Sequence, residues 1–477
     1  MSFLLILLNV FFVSFTDKPE KSAPALSPRA VEQRAKWHIP TDALDYPVCR
    51  MYQDSLRRMG VRIHHTSRWF NGATCEMDSI TATRVAALSF VKSVQTTRKN
   101  NTSGMYMPHR AKWHTEQNNI QTVTAQAANY TDDQLALYNL TPLHNAGFEG
   151  QGILMTVCDG SFYNANTLSC FRDSLELGHF DFTDDEDVFY GQTGTHGTEC
   201  LSVISGIQNG FYGSATQAHY YLMRSEEDET ESPKEMDNLV AALEKADSLG
   251  VNVFSASLGY AMFDNNEWTL NKNTDLDGKT TRVSLAATIA ARKGMLVCIA
   301  AGNEGNALWR TISAPADADS ILTVGAVGTD SIVGSFSSYG PSSDGRIKPE
   351  VCAVGVQTVL IYPDGRLVQS KGTSFATPLL AGLAASLWSA LPDENAMQIR
   401  ERIIRSAHLY AHPDSTNHIG YGIPNAWLAY TMPDPTQDTP SSVTETPAPV
   451  IRKILHNGQI LIIRNGNAYT VSGLKVQ

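Results

Sequence analysis

The chain has 477 residues, of which 42% are hydrophobic and 18% charged, and its formal net charge is -11. That length fits one large domain with attachments, or two to three ordinary domains, and it buries a sizeable core. The negative balance excludes a partner held mainly through its phosphates, so nucleic-acid binding is set aside. The seven cysteines (Cys49, Cys75, Cys158, Cys170, Cys200, Cys298 and Cys352) form no CxxC pair, which removes the usual metal-site spacing. Several lie in apolar runs, where a free thiol behaves as a small hydrophobe, so few or no disulfides are expected in the main domain.

The chain opens MSFLLILLNVFFVSFTDKPE, with a nearly unbroken apolar run from Phe3 to Phe15. This is too short for an ordinary spanning helix and matches the core of a secretory signal, although the positive n-region is missing. A signal over residues 1–16 and export are therefore expected; a short membrane anchor or a buried segment is the alternative. Residues 17–48 read as irregular and polar. A small α+β unit is expected at about 47–97, with VRIHHTSRW and GATCEM as strands, SITATRVAALSFV as a helix and VKSVQ as a further strand. Residues 98–130 are again polar.

The longest domain spans roughly 130–434. Its strand candidates are GILMTVCD, HYYLMR, VNVFSASLG, MLVCIAAGN and ILTVGAV. SPKEMDNLVAALEKADSLG lies between two of them. Ser232 caps that helix, Pro233 suits its first turn, Glu235 completes a capping box and Gly250 stops it. TRVSLAATIAARKG is the next helix, closed by Gly294. Strand–helix alternation with near-continuous apolar strands predicts an α/β fold: a parallel sheet flanked by helices on both faces. A Pro/Ser/Thr-rich linker follows at 435–450. The tail, 451–477, reads as a short β-meander turned at Asn457-Gly458 and Asn465-Gly466.

Four polar residues stand at strand or helix ends in the main domain. Asp159 ends the run ILMTVC, where a carboxylate at the sheet rim orients a partner. His196 sits in GTHGTEC, whose small neighbours allow close approach. Ser374 lies in KGTSFATP, at the mouth of the apolar stretch FATPLLAGLAASLW. Helix dipole and free amides there favour developing negative charge. Together the three supply a nucleophile, a proton shuttle and an orienting acid. Asn303, at the end of MLVCIAAGN, offers an amide which, with the Ser374 N–H, would receive an oxyanion. Each residue alone reads as a cap, a turn residue or a satisfied histidine. The four in this order on a parallel sheet point to hydrolysis.

In these motifs the chain resembles the subtilases, the subtilisin-like serine endopeptidases, over about residues 130–434. TVCDGSF, THGTEC, SASLGY, AAGNEGN and GTSFATP carry the match, with support from FSSYGPSSDGRIKPEV and GYGIPNAW. The order Asp, His, Ser is that of subtilisin. The resemblance implies that Ser257, Leu258 and Gly259, with Ala300, Ala301 and Gly302, line the substrate cleft, and that Ser313 lies near the pocket floor. No carboxylate is placed in that pocket, so a fairly large apolar side chain is expected before the scissile bond. Gly160-Ser161 after Asp159, and Ala353-Val354-Gly355, depart from the usual family pattern without removing a reacting atom.

The flanks fit the same resemblance. Residues 47–97, within a propeptide region of 17–129, resemble an inhibitory pro-domain. KILHNGQILIIRNGNAYTVSGLKV resembles the sorting tail of proteins exported by the type IX system of the Bacteroidota. The partners implied are polypeptide substrates, the chain's own pro-domain and an export machinery reached through the periplasm. No cofactor is required for the chemistry. Structural calcium is common in the family, and DFTDDEDVF, from Asp181 to Asp187, offers hard oxygen ligands; a solvated acidic loop is the competing reading. A catalytically dead binding or adhesion protein on the same fold is the alternative function. An esterase lacks its GxSxG elbow here, and a metallopeptidase its HExxH.

Overall fold

The computed structural model describes residues 8–19, 22–98, 121–122, 130–172, 175–183, 188–189, 194–227 and 230–434, together with strand backbone in 452–456, 459–464, 467–470 and 475–476. The chain divides into two units, Met1–Met432 and Pro433–Gln477.

The half of the first unit that holds the expected catalytic residues is built on a seven-stranded sheet. Its strands lie in the order Val351–Val354, Leu322–Val327, Leu296–Ala300, Val253–Ala256, Leu154–Asp159, His219–Arg224 and Glu176–Asp181. Every neighbouring pair is parallel. The central strands are buried along their whole length, because helices cover both faces. Alternate residues of one strand feed different cores. Met155 and Val157 join the cluster of helices His196–Ser205 and Thr373–Ala390. Leu154 and Cys158 join that of helices Pro233–Leu249 and Arg282–Arg292. The edge strand Glu176–Asp181 is more polar and only partly buried, as an unpaired edge requires. All seven cysteines are free and buried. No helix among the described residues is long and apolar enough to cross a membrane.

The smaller half corrects the expectation of a signal at 1–16. Asn9–Phe15 is a strand, and it sits in the interior of a four-stranded antiparallel sheet ordered Arg62–Ser67, Gly72–Met77, Asn9–Phe15, Val91–Arg98. Phe11, Val13 and Phe15 enter a core with Leu56, Ala82 and Val85 from helices Arg50–Arg58 and Ser79–Ala86. Phe12 points the other way, under the Arg282 guanidinium of the catalytic half at 4.2 Å. Both faces of the strand are covered, so Val10–Val13 is apolar at every position rather than alternating. That is why it reads like a signal core. The folded pro-domain therefore begins near Asn9, not near residue 47.

Nor is the stretch 17–48 wholly irregular. Helix Pro28–Lys36 starts at Ser27, whose hydroxyl accepts from the Ala30 N–H at 3.1 Å. It lies against the catalytic half at Gly250 and Asn252, where Arg29 donates at 3.1 Å and 2.7 Å. Arg34, buried, donates to both oxygens of Asp247 at 2.7 Å and 2.8 Å and to Asp45 at 2.6 Å. Lys293 closes the network on Asp45 at 3.0 Å. A second set of contacts comes from the turn after Arg62–Ser67. Glu244 accepts from the Ser67 hydroxyl and from the N–H groups of Arg68 and Trp69. The tail unit contains strands Arg452–His456, Gln459–Arg464, Asn467–Thr470 and Lys475–Val476, successively antiparallel, as the expected meander requires.

Candidate active site

Asp159 is the last residue of its strand, and His196 the first of its helix. The strand end and helix start meet because glycines flank the histidine. A Cβ at Gly197 would lie 2.4 Å from the Ser161 carbonyl oxygen and 3.0 Å from Asp159 Cβ, and one at Gly194 2.4 Å from Ser161 Cβ. Close approach gives His196 Nδ1 contacts of 2.8 Å and 3.0 Å with the two Asp159 oxygens. The Gly160 N–H also donates to Asp159 at 2.8 Å. Asp159 is fully buried and His196 nearly so. Burial of the ring pulls its pKa down, but the Asp159 carboxylate more than reverses this and holds it well above the usual histidine range. With Nδ1–H donating to Asp159, Nε2 is left as the basic nitrogen.

Ser374 stands in the first turn of Thr373–Ala390. Cys200 Sγ joins it to the histidine, lying 3.7 Å and 3.9 Å from the ring nitrogens and 3.4 Å from the Ser374 carbonyl oxygen. Burial pushes that thiol up to about 11, so it stays protonated. Ser374 Oγ is buried and has no hydrogen-bond partner among the described residues. Asn303 is oriented by a residue that sequence reading passed over. Thr373 donates to Asn303 Oδ1 from both its N–H and its hydroxyl at 2.9 Å, and its hydroxyl accepts from the Gly302 N–H at 3.2 Å. The carbonyl end of the amide is thus held and its NH₂ end left available. The only sequence signal was a hydroxyl directly before the serine in GTS. Gly372 adopts φ +151°, and a Cβ there would lie 3.5 Å from Asn303 Nδ2 and 3.6 Å from the Ser374 N. The turn before Ser374 thus uses a backbone conformation that favours glycine, and the position lies beside both donors.

The expected cleft residues gather around this turn, mostly as buried backbone. Ser257, Leu258 and Gly259 follow strand Val253–Ala256, and Tyr260 pairs antiparallel with Ala314 at 2.7 Å and 3.0 Å. That pairing brings Ser313 beside them; Ser313 is fully buried, with no partner for its hydroxyl among the described residues. Leu258 packs into the core rather than forming an open wall, and the Ser257 hydroxyl donates to the Ser374 carbonyl at 2.7 Å. Ala300, Ala301 and Gly302 close the strand before Asn303 and are buried. Among the expected calcium ligands, Asp181 accepts from Thr183 and pairs with Arg224 at 3.2 Å, a poor setting for a cation. Residues 184–187 lie outside the described residues.

Comparison with known proteins agrees with this geometry. A model of the Peptidase S8 (subtilase) family matches residues 150–422, and a model of the Bacteroidota Peptidase S8 propeptide domain matches residues 10–117. The chain belongs to the subtilase family. It is a serine endopeptidase with its propeptide attached. It is 27% identical to the thermostable alkaline protease of Halalkalibacterium halodurans over 281 residues, 58% of this chain and 68% of that protein. With subtilisin E of Bacillus subtilis it shares 28% over 302 residues, 61% and 69% of the two chains. Its fold is like that of MycP1 from Mycobacterium smegmatis, at TM-score 0.51 and 21% identity over 68% of this chain and 92% of that one. MycP3 protease from the type VII (ESX-3) secretion system gives 0.52 and 21% over 66% and 92%. The propeptide match, starting at residue 10, covers all but the first residue of the strand Asn9–Phe15.

Proposed function

We propose that this subtilase cleaves polypeptides with Ser374 as nucleophile, His196 as general base, Asp159 as the orienting acid, and Asn303 with the Ser374 N–H as oxyanion donors. The buried Asp159–His196 pair, set against the first turn of the Ser374 helix, carries the reading. Asp159 fixes the tautomer, so Nε2 takes the serine proton and later returns it to the leaving amine. A tetrahedral oxygen held by the Asn303 amide and the Ser374 N–H would accept both hydrogen bonds as its charge develops. A catalytically dead adhesion protein needs none of this arrangement. Labelling by a fluorophosphonate decides the matter. Ser374-dependent labelling with peptide hydrolysis supports the reading, and an unlabelled, inactive mature protein overturns it.

We further propose that the pro-domain inhibits the enzyme until a cut between residues 98 and 121. The pro-domain sheet ends at Arg98, whereas Gln121–Thr122 pairs antiparallel with Leu367–Ser370, the strand leading into Ser374. Export to the surface or medium by way of the periplasm rests on the resemblance of the tail. Deleting residues from Ile451 onward should leave peptidase activity and stop release past the outer membrane; unchanged yield in the medium refutes the tail's role.

A further inference from the structure

In an α-helix each N–H serves the carbonyl four residues back, and proline has no N–H to give. Pro378 lies four residues after Ser374, inside the same helix. The Ser374 carbonyl therefore lacks its helical donor, although Ser374 is only 2% exposed. A buried carbonyl in that state needs a partner from elsewhere. Ser257, 117 residues away in sequence, supplies it: its hydroxyl donates to the Ser374 oxygen at 2.7 Å. Cys200 Sγ adds a longer contact at 3.4 Å, the weaker of the two because a thiol is a poor donor.

The carbonyl and Cβ of Ser374 share one Cα, so a rotation that swings the peptide plane also redirects Oγ. Oγ has no hydrogen bond of its own among the described residues. The backbone anchor thus fixes the Cα–Cβ bond from which Oγ projects. We infer that Ser257 is a positioning residue: its hydroxyl stands in for the helix hydrogen bond that Pro378 removes, and so aims Ser374. The inference rests on the reading of Ser374 as nucleophile. It assigns Ser257 a part beyond lining the cleft, and it makes the strand-end loop that borders the substrate a support for the attacking group.

A double-mutant cycle on the full chain tests this. Pro378→Ala restores the missing N–H, so it should make the Ser257 hydroxyl dispensable. Ser257→Ala should lower kcat by about tenfold to a hundredfold, the effect of leaving one buried acceptor unpaired, with KM changed less than about twofold. Adding Pro378→Ala should recover about tenfold of that loss. Ser257→Cys keeps the volume with a weaker donor and should fall between, which also serves should Ser257→Ala fail to fold. Independent, multiplicative effects of the two substitutions, or a loss confined to KM, overturn the inference. Should the wild-type chain neither hydrolyse peptides nor take the fluorophosphonate, the nucleophile reading itself fails. The melting temperatures of the same four chains then decide the hydrogen-bond exchange: recovery by Pro378→Ala sustains it and additivity refutes it.

Discussion

At the scale of single residues, orientation matters more than identity. In the proposed mechanism Asn303 can serve as an oxyanion donor because Thr373 occupies its Oδ1. Asn303→Ala should lower kcat by about 10²–10³, a figure taken from subtilisin, with KM nearly unchanged. A raised KM with near-normal kcat would make Asn303 a mere turn residue. Thr373→Val should give a smaller kcat loss, because it removes one of the two donors that hold Oδ1 and keeps the backbone one. In the proposed mechanism His196 sets the pH profile. It must be neutral to act, and Asp159 holds its pKa well above the usual range. Activity should therefore fall as pH drops through a midpoint above that of an ordinary histidine. Asp159→Asn should move that midpoint down and cost about 10⁴ in kcat, the loss typical of this exchange.

Helix Pro28–Lys36 is the element that carries much of the contact between the two halves of the larger unit. Its contacts at Gly152, Gly250 and Asn252 lie at the amino ends of strands whose carboxyl ends carry the site. The six-residue strand Leu154–Asp159 puts roughly 20 Å between the two rims. Lys36 reaches Pro392, past the far end of the Ser374 helix. The pro-segment thus grips the enzyme at a point remote from the cleft. Removing one partner of a buried ion pair costs about 3–5 kcal/mol. After the maturation cut, Arg34→Ala should release the pro-segment at least tenfold faster in gel filtration or native mass measurements; equal retention would show the helix to be passive. The docked strand Arg62–Ser67 adds a pH dependence. Burial, then Lys234, lowers His64 to about 4, and burial lowers His65, which lies 2.7 Å from the Phe182 oxygen and 3.1 Å from Asn238 Oδ1. Both are favoured neutral when docked. Docking is therefore fully supported above the free value of 6.5 and weakens as pH falls from there toward 4. Glu244, raised by burial despite Arg68, works in the opposite direction. Replacing both histidines by Gln should abolish any acceleration of release between pH 7 and pH 5; an unaltered acceleration would assign it elsewhere.

Across the whole molecule, a parallel sheet points its carboxyl ends one way, and that shared direction gathers Asp159 and Asn303 from separate strands. The Ser374 helix packs across that sheet and delivers its first turn to the same rim. Ser374→Ala should leave the precursor uncut while the fold persists, seen as a single full-length band with an unchanged cooperative melt. Processing of the purified variant, free of other peptidases, would show that the cut is made by another enzyme. Residue Pro433 onward forms a unit of its own, so truncation there should leave the melting temperature of the larger unit unaltered.

Much of the site was legible because its parts are local. The motifs around Asp159, His196, Asn303 and Ser374 each fit within a few residues, and continuous apolar strands already required a two-sided parallel sheet. The helix after Ser232 forms where expected, with Glu235 accepting from the Ser232 N–H at 3.0 Å, while the Ser232 hydroxyl makes no hydrogen bond among the described residues. Other features needed the tertiary structure. An apolar run such as Asn9–Phe15 has the same composition whether it enters a membrane or a sheet covered on both faces, and only its neighbours decide. The grip of Arg34 on Asp247 spans 213 residues, and that of Ser257 on Ser374 spans 117. Hydrogen bonds across such separations depend on which elements pack together, and no local pattern of residues records them.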